Sequence, residues 1–252
     1  MSIDLNCDMG ESFGRYKLGH DAKIIPFVTS INVACGAHAG DPLVMKRTVE
    51  LALAHKVQIG AHPGYPDMQG FGRRKMNLSP DEVEAFLLYQ IGALDAFVRA
   101  AGGSLQHVKP HGALYNQAAQ NRSLADAIAR AVAAYNSDLI LIGLAGSALL
   151  KMGEKHGLQV AAEAFPDRGY QADGTLIPRG LPGAVLENVE KIAENAVRLC
   201  RKGITVAQGK QEETYSVDTL CIHGDHPDAD ATAKAISDSL ASRLIKVKAL
   251  SR

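Results

Sequence analysis

The sequence predicts an α/β fold, an irregular (β/α)7-type barrel made of about seven strand–helix units. The first observation is that short apolar runs alternate with helical patterns from end to end, which is typical of a parallel sheet covered by helices. The second is that ionisable residues follow nearly every predicted strand at the same end. A closed barrel gathers such ends around one mouth, whereas an open sheet spreads them along a line. No linker divides the chain, so we expect one domain over residues 1–252.

Seven apolar runs have the length and composition of buried strands. In the first run, Ile3, Leu5 and Cys7 alternate with polar residues, as in a strand with two unlike faces. The predicted strands span residues 3–7, 27–35, 57–61, 105–109, 139–142, 159–165 and 217–222.

Helices are predicted between these strands from their capping signals. Asp41 followed by Pro42 supplies an N-cap residue and a proline at the first helical position. Ser79 and Glu82 form a capping-box pattern. The predicted helices span residues 41–55, 79–101, 123–135, 147–156, 186–202 and 230–247, with a Gly/Pro-rich stretch at 169–183.

Composition argues against several classes of partner. The formal net charge is zero, with 27 basic and 27 acidic residues, so the basic excess expected of a nucleic-acid-binding protein is missing. No apolar run reaches the roughly 20 residues that span a bilayer, and the N-terminal residues do not resemble a signal peptide. We therefore expect no nucleic-acid or membrane partner. The four cysteines lack CxxC spacing and favour a reducing, cytoplasmic setting.

Polar and ionisable residues at the strand ends are the candidate site residues. They are Asn6, Asp8, Glu11, His38, His62, Lys109, His111, Glu163, Arg168, His223 and Asp225. Several of these residues could have a structural role instead of a functional one. A carboxylate can cap a loop, a histidine can form a hydrogen bond to the backbone of a turn, and Asp167 could form an ion pair with Arg168. Lys109 lies inside an apolar strand and must pair or point into a polar cavity. The shared placement of the set favours one site.

The residue types allow two kinds of chemistry. Carboxylates beside histidines can bind a metal or act as metal-free acid and base. Asp8, His38 and His62 could form a divalent metal site from three strand ends, although no HxH or HxxxH pair supplies two ligands from one element. A lysine and an arginine favour an anionic substrate or a developing oxyanion. The sequence has no P-loop, Rossmann or GxSxG motif.

Seven linked motifs resemble the LamB/YcsF family, in order along the chain from residue 4 to about residue 225. They are DLNCDMGE (4–11), NVACGAHAGDP (32–42), GAHPGYPD (60–67), GFGRR (70–74), VKPHGALYN (108–116), EAFPDRGY (163–170) and CIHGD (221–225). The resemblance implies an irregular barrel similar to that of polysaccharide deacetylases, within the glycoside hydrolase/deacetylase superfamily. It also implies hydrolysis of 5-oxoproline to glutamate, coupled to ATP hydrolysis, together with the B and C subunits of 5-oxoprolinase.

The resemblance and the shared strand-end position suggest a division of roles. Asp8 or Glu11 would be the general base, and His38, His62 and His111 would bind a metal or the developing oxyanion. Lys109 and Arg168 would bind a carboxylate or phosphate, and Asn6 and Glu163 would also bind the substrate. His223 and Asp225 would protonate the leaving nitrogen.

Two other functions fit the same residues. The first is a stand-alone metal-dependent deacetylase or amidohydrolase, which would act without ATP. The second is a binding or regulatory subunit that keeps the barrel but performs no chemistry. Whether ATP binds this chain or a partner stays open at this point.

Overall fold

The computed structural model describes residues 1–208, 211–224 and 228–251. Its strands are β1 Ser2–Met9, β2 Ser30–Ala34, β3 Gln58–His62, β4 Leu105–Val108, β5 Ile140–Leu144, β6 Val160–Ala164, β7 Ile204–Gln208, β8 Gln211–Tyr215, β9 Thr219–Ile222 and β10 Lys246–Val247. Strands β1 to β6 and β9 pair in parallel, and β1 pairs with both β2 and β9. The sheet is therefore a closed seven-stranded barrel, which confirms the predicted fold class.

Helices cover the outside of the barrel. They are α1 Asp21–Ile24, α2 Pro42–His55, α3 Pro80–Ala100, α4 Gly112–Ala118, α5 Arg122–Tyr135, α6 Ala148–Lys155, α7 Val189–Lys202 and α8 Ala229–Ser242, with a 3-10 helix at Ile25–Phe27. The predicted N-caps are present, because the Asp41 carboxylate accepts from two helix amides and Ser79 and Glu82 form a full capping box. Among the described residues, no helix is both long and apolar enough to cross a membrane.

Several predicted elements end or begin elsewhere in the structure. The sequence predicts a last helix that reaches residue 247, but α8 ends at Ser242, and Leu244 then adopts a positive φ of 59°. The chain turns there so that β10 can pair with β1. The sequence also predicts a second strand from residue 27, but the 3-10 helix containing Pro26 ends at Phe27 and β2 begins only at Ser30.

An antiparallel hairpin between α7 and β9 is absent from the predicted elements. Strands β7 and β8 pair with each other and lie outside the barrel sheet. Two glycines make room for this hairpin: a Cβ on Gly146 would lie 2.7 Å from the Tyr215 ring, and one on Gly174 would lie 2.5 Å from Val206. The hairpin thus packs on the loops that follow β5 and β6.

The barrel has an apolar outside and a polar inside. Along β1, the apolar residues Ile3, Leu5, Cys7 and Met9 belong to the main hydrophobic core. The intervening Asn6 instead bonds across the barrel, donating to Glu163 on β6 at 2.9 Å. Barrels of this general type are commonly filled by branched apolar side chains. Here hydrogen-bonded polar groups fill the axis.

The lowest polar layer is centred on Asp4. Its carboxylate accepts hydrogen bonds from Thr29, Ser30 and Thr219. Burial raises the pKa of Asp4, although these hydroxyl bonds oppose the rise. The layer links β1, β2 and β9 below the candidate site.

Gly60 on β3 leaves room for the buried ring of His107, and the need for glycine at this position can be tested by substitution. A Cβ at Gly60 would lie 2.0 Å from Nε2 of His107, which is fully buried. Gly60→Ala should therefore lower the free energy of unfolding by about 1–3 kcal/mol through overpacking. Gly92→Ala is the matched control, since nothing lies within 4 Å of its added methyl group. In helix α3 that change should raise stability by up to about 1 kcal/mol. Urea denaturation of both variants checks the difference in sign, and equal effects would contradict it.

Candidate active site

Lys109 is the centre of the site. Its Nζ lies 2.8 Å from Oε1 of Glu163, 3.0 Å from Oδ1 of Asp8 and 3.1 Å from Oδ1 of Asn6. The Cys221 sulfur is 3.0 Å away. Burial alone would lower the pKa of Lys109, but the neighbouring carboxylates outweigh it and raise the pKa well above its usual value. The ammonium is therefore a fixed positive charge that joins β4 to β1 and β6.

Asp8 stands between this ammonium and the histidines. Its Oδ2 lies 3.2 Å from Nε2 of His62, and its Oδ1 accepts from Nδ2 of Asn32 at 2.8 Å. Burial opposes ionisation of Asp8, but His62 and Lys109 outweigh it and hold the pKa well below its usual value. Asp8 is consequently an ionised carboxylate in the cavity wall, fixed in position and able to accept hydrogen bonds.

Asn32 and His107 help to hold Asp8 in place, and neither residue is among the predicted site residues. His107 Nε2 donates to Oδ1 of Asn32 at 2.8 Å, and this bond orients the Asn32 amide so that it donates to Asp8 and Asn6. Burial lowers the pKa of His107 to about 3, so its ring is neutral. The sequence favours a surface or packing role for His107, because it lacks the strand-end setting of the candidate site residues. Its position on the inward face of β4 is the only available signal.

Two histidines beside Asp8 have their tautomers set by backbone carbonyls. His62 Nδ1 donates to the Lys109 carbonyl at 2.7 Å, and His111 Nε2 donates to the Phe71 carbonyl at 2.8 Å. The remaining ring nitrogens, Nε2 of His62 and Nδ1 of His111, face each other at 2.9 Å. Burial lowers the pKa of His111 to about 3.

His38 and Glu11 complete this group. The His38 ring stacks on His111 with 3.7 Å between centroids, and neither of its ring nitrogens has a hydrogen-bond partner although it is fully buried. Glu11 Oε1 lies 3.9 Å from both His38 Nε2 and His111 Nδ1. Glu11, His38, His62 and His111 each offer one potential metal-ligand atom, and these atoms all lie within 4.8 Å of one another. Of the predicted metal set, His38 and His62 are in this group, whereas Asp8 is paired with Lys109.

The loop after β3 closes over the histidines. A Cβ at Gly64 would lie 2.6 Å from Nδ1 of His38, and one at Gly72 would lie 2.8 Å from both His38 and His111. Gly64 exchanges two hydrogen bonds with the Gln90 side chain on α3, which fixes the start of the loop. The glycines in these motifs thus allow the backbone to approach buried rings closely.

Three predicted substrate-binding residues have other partners in the structure. Asn6 and Glu163 are fully buried behind Lys109 and hold its ammonium. Arg168 lies in the cavity wall, but Nε and Nη2 donate to the Ala184 and Ile177 carbonyls. The structure therefore gives these side chains positioning roles, and their contact with substrate stays a prediction. Asp225 lies outside the described residues.

His223 pairs with the carboxylate of Asp167, which is distant in sequence. Its Nδ1 lies 2.7 Å from Oδ2 of Asp167, and its ring stacks on Phe165. Burial of Asp167 would raise its pKa, but His223 outweighs burial and lowers it. The sequence allows an Asp167–Arg168 pair, whereas the structure gives Asp167 to His223. Such an Asp–His pair orients the second ring nitrogen for proton transfer.

A cavity of about 590 Å³ opens above these residues. Its lining includes Asp8, Glu11, His62, Lys109, His111, Phe165 and His223. Further basic residues in the wall are Arg73, Lys75 and Arg179. The cavity therefore combines fixed carboxylates, histidines and an excess of basic side chains, which suits a small anionic ligand.

The closed parallel barrel, with acid–base residues at the carboxyl ends of its strands, defines the class of barrel enzymes that bind small molecules at that face. A sequence model of the LamB/YcsF family matches residues 3–252, and the chain belongs to this family.

Named relatives are similar to this chain over nearly its whole length. The 5-oxoprolinase A subunit of Heliobacterium modesticaldum is 54% identical over 249 residues, covering 99% of this chain and 98% of that protein. The protein of the same name from Syntrophobacter fumaroxidans is 51% identical, covering 99% of each chain. The crystal structure of the lactam utilization protein from Thermus thermophilus superposes with a TM-score of 0.91 at 47% identity, covering 99% of this chain and 100% of that one.

The buried neutral ring of His107 makes stability depend on pH. In the unfolded chain a histidine takes up a proton near pH 6.5, but folded His107 does so only near pH 3. The unfolded state thus binds the extra proton between these values, and stability falls as the pH is lowered through them. His107→Gln should lessen that fall by up to about 1.4 kcal/mol per pH unit between pH 6 and pH 4. Urea denaturation at several pH values checks this, and an unchanged slope would contradict a neutral buried ring.

Proposed function

We propose that this chain acts as the A subunit of an ATP-dependent 5-oxoprolinase, which hydrolyses the lactam of 5-oxo-L-proline to L-glutamate. The relatives that carry this name, at 51–54% identity over nearly the full chain, support the assignment. The observation in the structure that carries it is the ion pair between the buried Lys109 and Asp8 in the wall of a cavity with excess basic residues.

Asp8 is the proposed group that accepts a proton from the attacking water. Addition of water to the lactam carbonyl requires a group that orients the water and accepts its proton. Asp8 lies in the cavity wall, with its carboxylate fixed by Lys109 and Asn32. Glu11 lies in the same wall and is the alternative acceptor.

His223 is the proposed donor on the leaving side. When the C–N bond of the ring breaks, the nitrogen must gain a proton to leave as an amine. The Asp167–His223 pair lies beside the cavity, with His223 in its wall, and the Asp167 carboxylate would stabilise the imidazolium before that proton is given up.

The basic residues of the wall are the proposed ligands for the substrate carboxylate. Because Lys109 and Arg168 already have buried partners, Lys75 and Arg179 take over the anion-binding role in this proposal. A phosphorylated form of the lactam would meet the same residues. In this proposal ATP phosphorylates the lactam oxygen, because opening a stable five-membered ring is otherwise uphill.

The proposal includes a setting and partners. The B and C subunits would supply the ATP-dependent step, and residues 1–252 would act as a single domain. A reducing cytoplasm suits the four cysteines, which are all free and buried.

Asp8→Asn should lower kcat for glutamate release by at least about 100-fold, because it removes a fixed ionised acceptor with little change in shape. Lys109→Met should cost at least as much. It also removes the cation that neutralises Asp8 and the buried Glu163, so thermal melting must accompany the assay. Lys155→Ala is the control, since Lys155 pairs with Asp126 outside the cavity. Near-wild-type turnover by a folded Asp8→Asn protein would remove Asp8 from the mechanism.

Glutamate release from 5-oxoproline and ATP should require this chain together with the B and C subunits. The assay compares this chain alone, the partners alone and the full mixture, with ATP consumption followed in parallel. Release only by the full mixture supports the assignment. If the partners fold and bind but no glutamate forms, the 5-oxoprolinase assignment is wrong, and activity on amides without ATP becomes the function to test.

A further inference from the structure

The geometry of the histidine group requires a positive charge between two rings. Each ring donates one N–H to a backbone carbonyl, so the other nitrogen of a neutral ring carries a lone pair. These two lone pairs, on Nε2 of His62 and Nδ1 of His111, face each other at 2.9 Å. Oδ2 of Asp8 also lies 3.2 Å from the same His62 nitrogen. Three acceptors that converge in this way repel each other unless a proton or a metal ion lies among them.

The surrounding groups fit a metal ion better than a proton. A shared proton would satisfy His62 and His111, but it would leave both nitrogens of the fully buried His38 without a partner. Glu11 also directs a carboxylate oxygen toward the group, 3.9 Å from a nitrogen of His38 and of His111. Carbonyl acceptors behind the two facing rings are the outer-shell partners that metal-binding histidines usually have.

We propose that Glu11, His62 and His111 bind one divalent first-row transition ion, with His38 as a fourth ligand. Two histidines and a glutamate form a common zinc set with an open position. The His38 ring lies parallel to His111 at 3.7 Å, so it must tilt before its nitrogen can reach the same ion. Asp8 is outside the set, because its Oδ1 is paired with the Lys109 ammonium and Asp8 is not among the residues whose ligand atoms all lie within 4.8 Å of one another.

The site would lie in the wall of the cavity that the proposed function uses. Glu11, His62 and His111 all line that cavity, so one position of the ion could face a bound ligand. A divalent ion there would polarise a carbonyl oxygen. The inference deepens the proposed function and rests on it for the ion's role, but binding of the ion can be measured without any turnover.

The test uses the full chain after removal of metal with a chelator. Co²⁺ is titrated into the protein and followed by its visible absorption, with the number of bound ions measured by elemental analysis. The variants are Glu11→Gln, His62→Gln and His111→Gln. His156→Gln is the matched control, because His156 lies outside the cavity beside Asp126. Circular dichroism and thermal melting establish which variants are folded.

We expect one Co²⁺ per wild-type chain, and at least about 10-fold weaker binding in each of the three variants, a loss seen even for outer-shell partners. The control should bind within about twofold of wild type, since its ring has no part in the outer shell of the site. X-ray absorption of the zinc-loaded wild-type protein should detect at least two imidazole ligands, and this result does not depend on the folding of any variant. Absence of saturable binding by the wild type, or a spectrum without imidazole, would overturn the inference.

The result is separate from that for the proposed function. Glutamate release by the metal-free chain with its partners, together with absence of Co²⁺ binding, would overturn only the metal site. Tight binding of one ion without glutamate release in the assembled mixture would support the metal site and count against the lactam assignment.

Discussion

The buried ammonium of Lys109 is the interaction on which the rest of the site depends. It joins carboxylates from two other strands, Asp8 on β1 and Glu163 on β6, inside a barrel whose walls exclude water. Removal of one member of such a group leaves uncompensated charge in a low-dielectric interior, which is strongly destabilising. The same charge keeps Asp8 ionised. One cation therefore both stabilises the polar groups along the barrel axis and keeps Asp8 ionised.

The polar axis sets this barrel apart from one filled with branched apolar residues. Stability comes mainly from the outside of the strands, where the apolar residues of β1 meet the surrounding helices. The inside supplies oriented donors and acceptors in stacked layers, from Asp4 through Asn6 and Asn32 to Asp8. Groups that are already oriented need not reorganise when charge develops on a substrate. The barrel thus separates the surface that holds it together from the surface that performs chemistry.

The histidine group depends on loops as much as on strands. His111 follows β4, yet its tautomer is set by the carbonyl of Phe71 in the loop after β3. Glycines at positions 64 and 72 let that loop lie against the rings of His38 and His111. Closely packed, carbonyl-bonded imidazoles in a cavity wall are held by the fold before any ligand arrives, and this makes the arrangement suitable for binding a cation.

Alternation of strands and helices was enough to predict the seven strands of the barrel and the end of each strand that carries the site, because it fixes chain direction in a parallel sheet. The same pattern placed Asp8, His62, Lys109 and His111 in one mouth, where the structure has them. The partner of each side chain, in contrast, emerges only from the folded barrel. Asp167 belongs to His223 rather than to Arg168, Arg168 holds backbone carbonyls, and His107 supports Asp8 through Asn32. The physical reason is that periodicity along one strand gives the face of a residue, whereas the stagger between strands and the packing of loops decide which side chains share a layer.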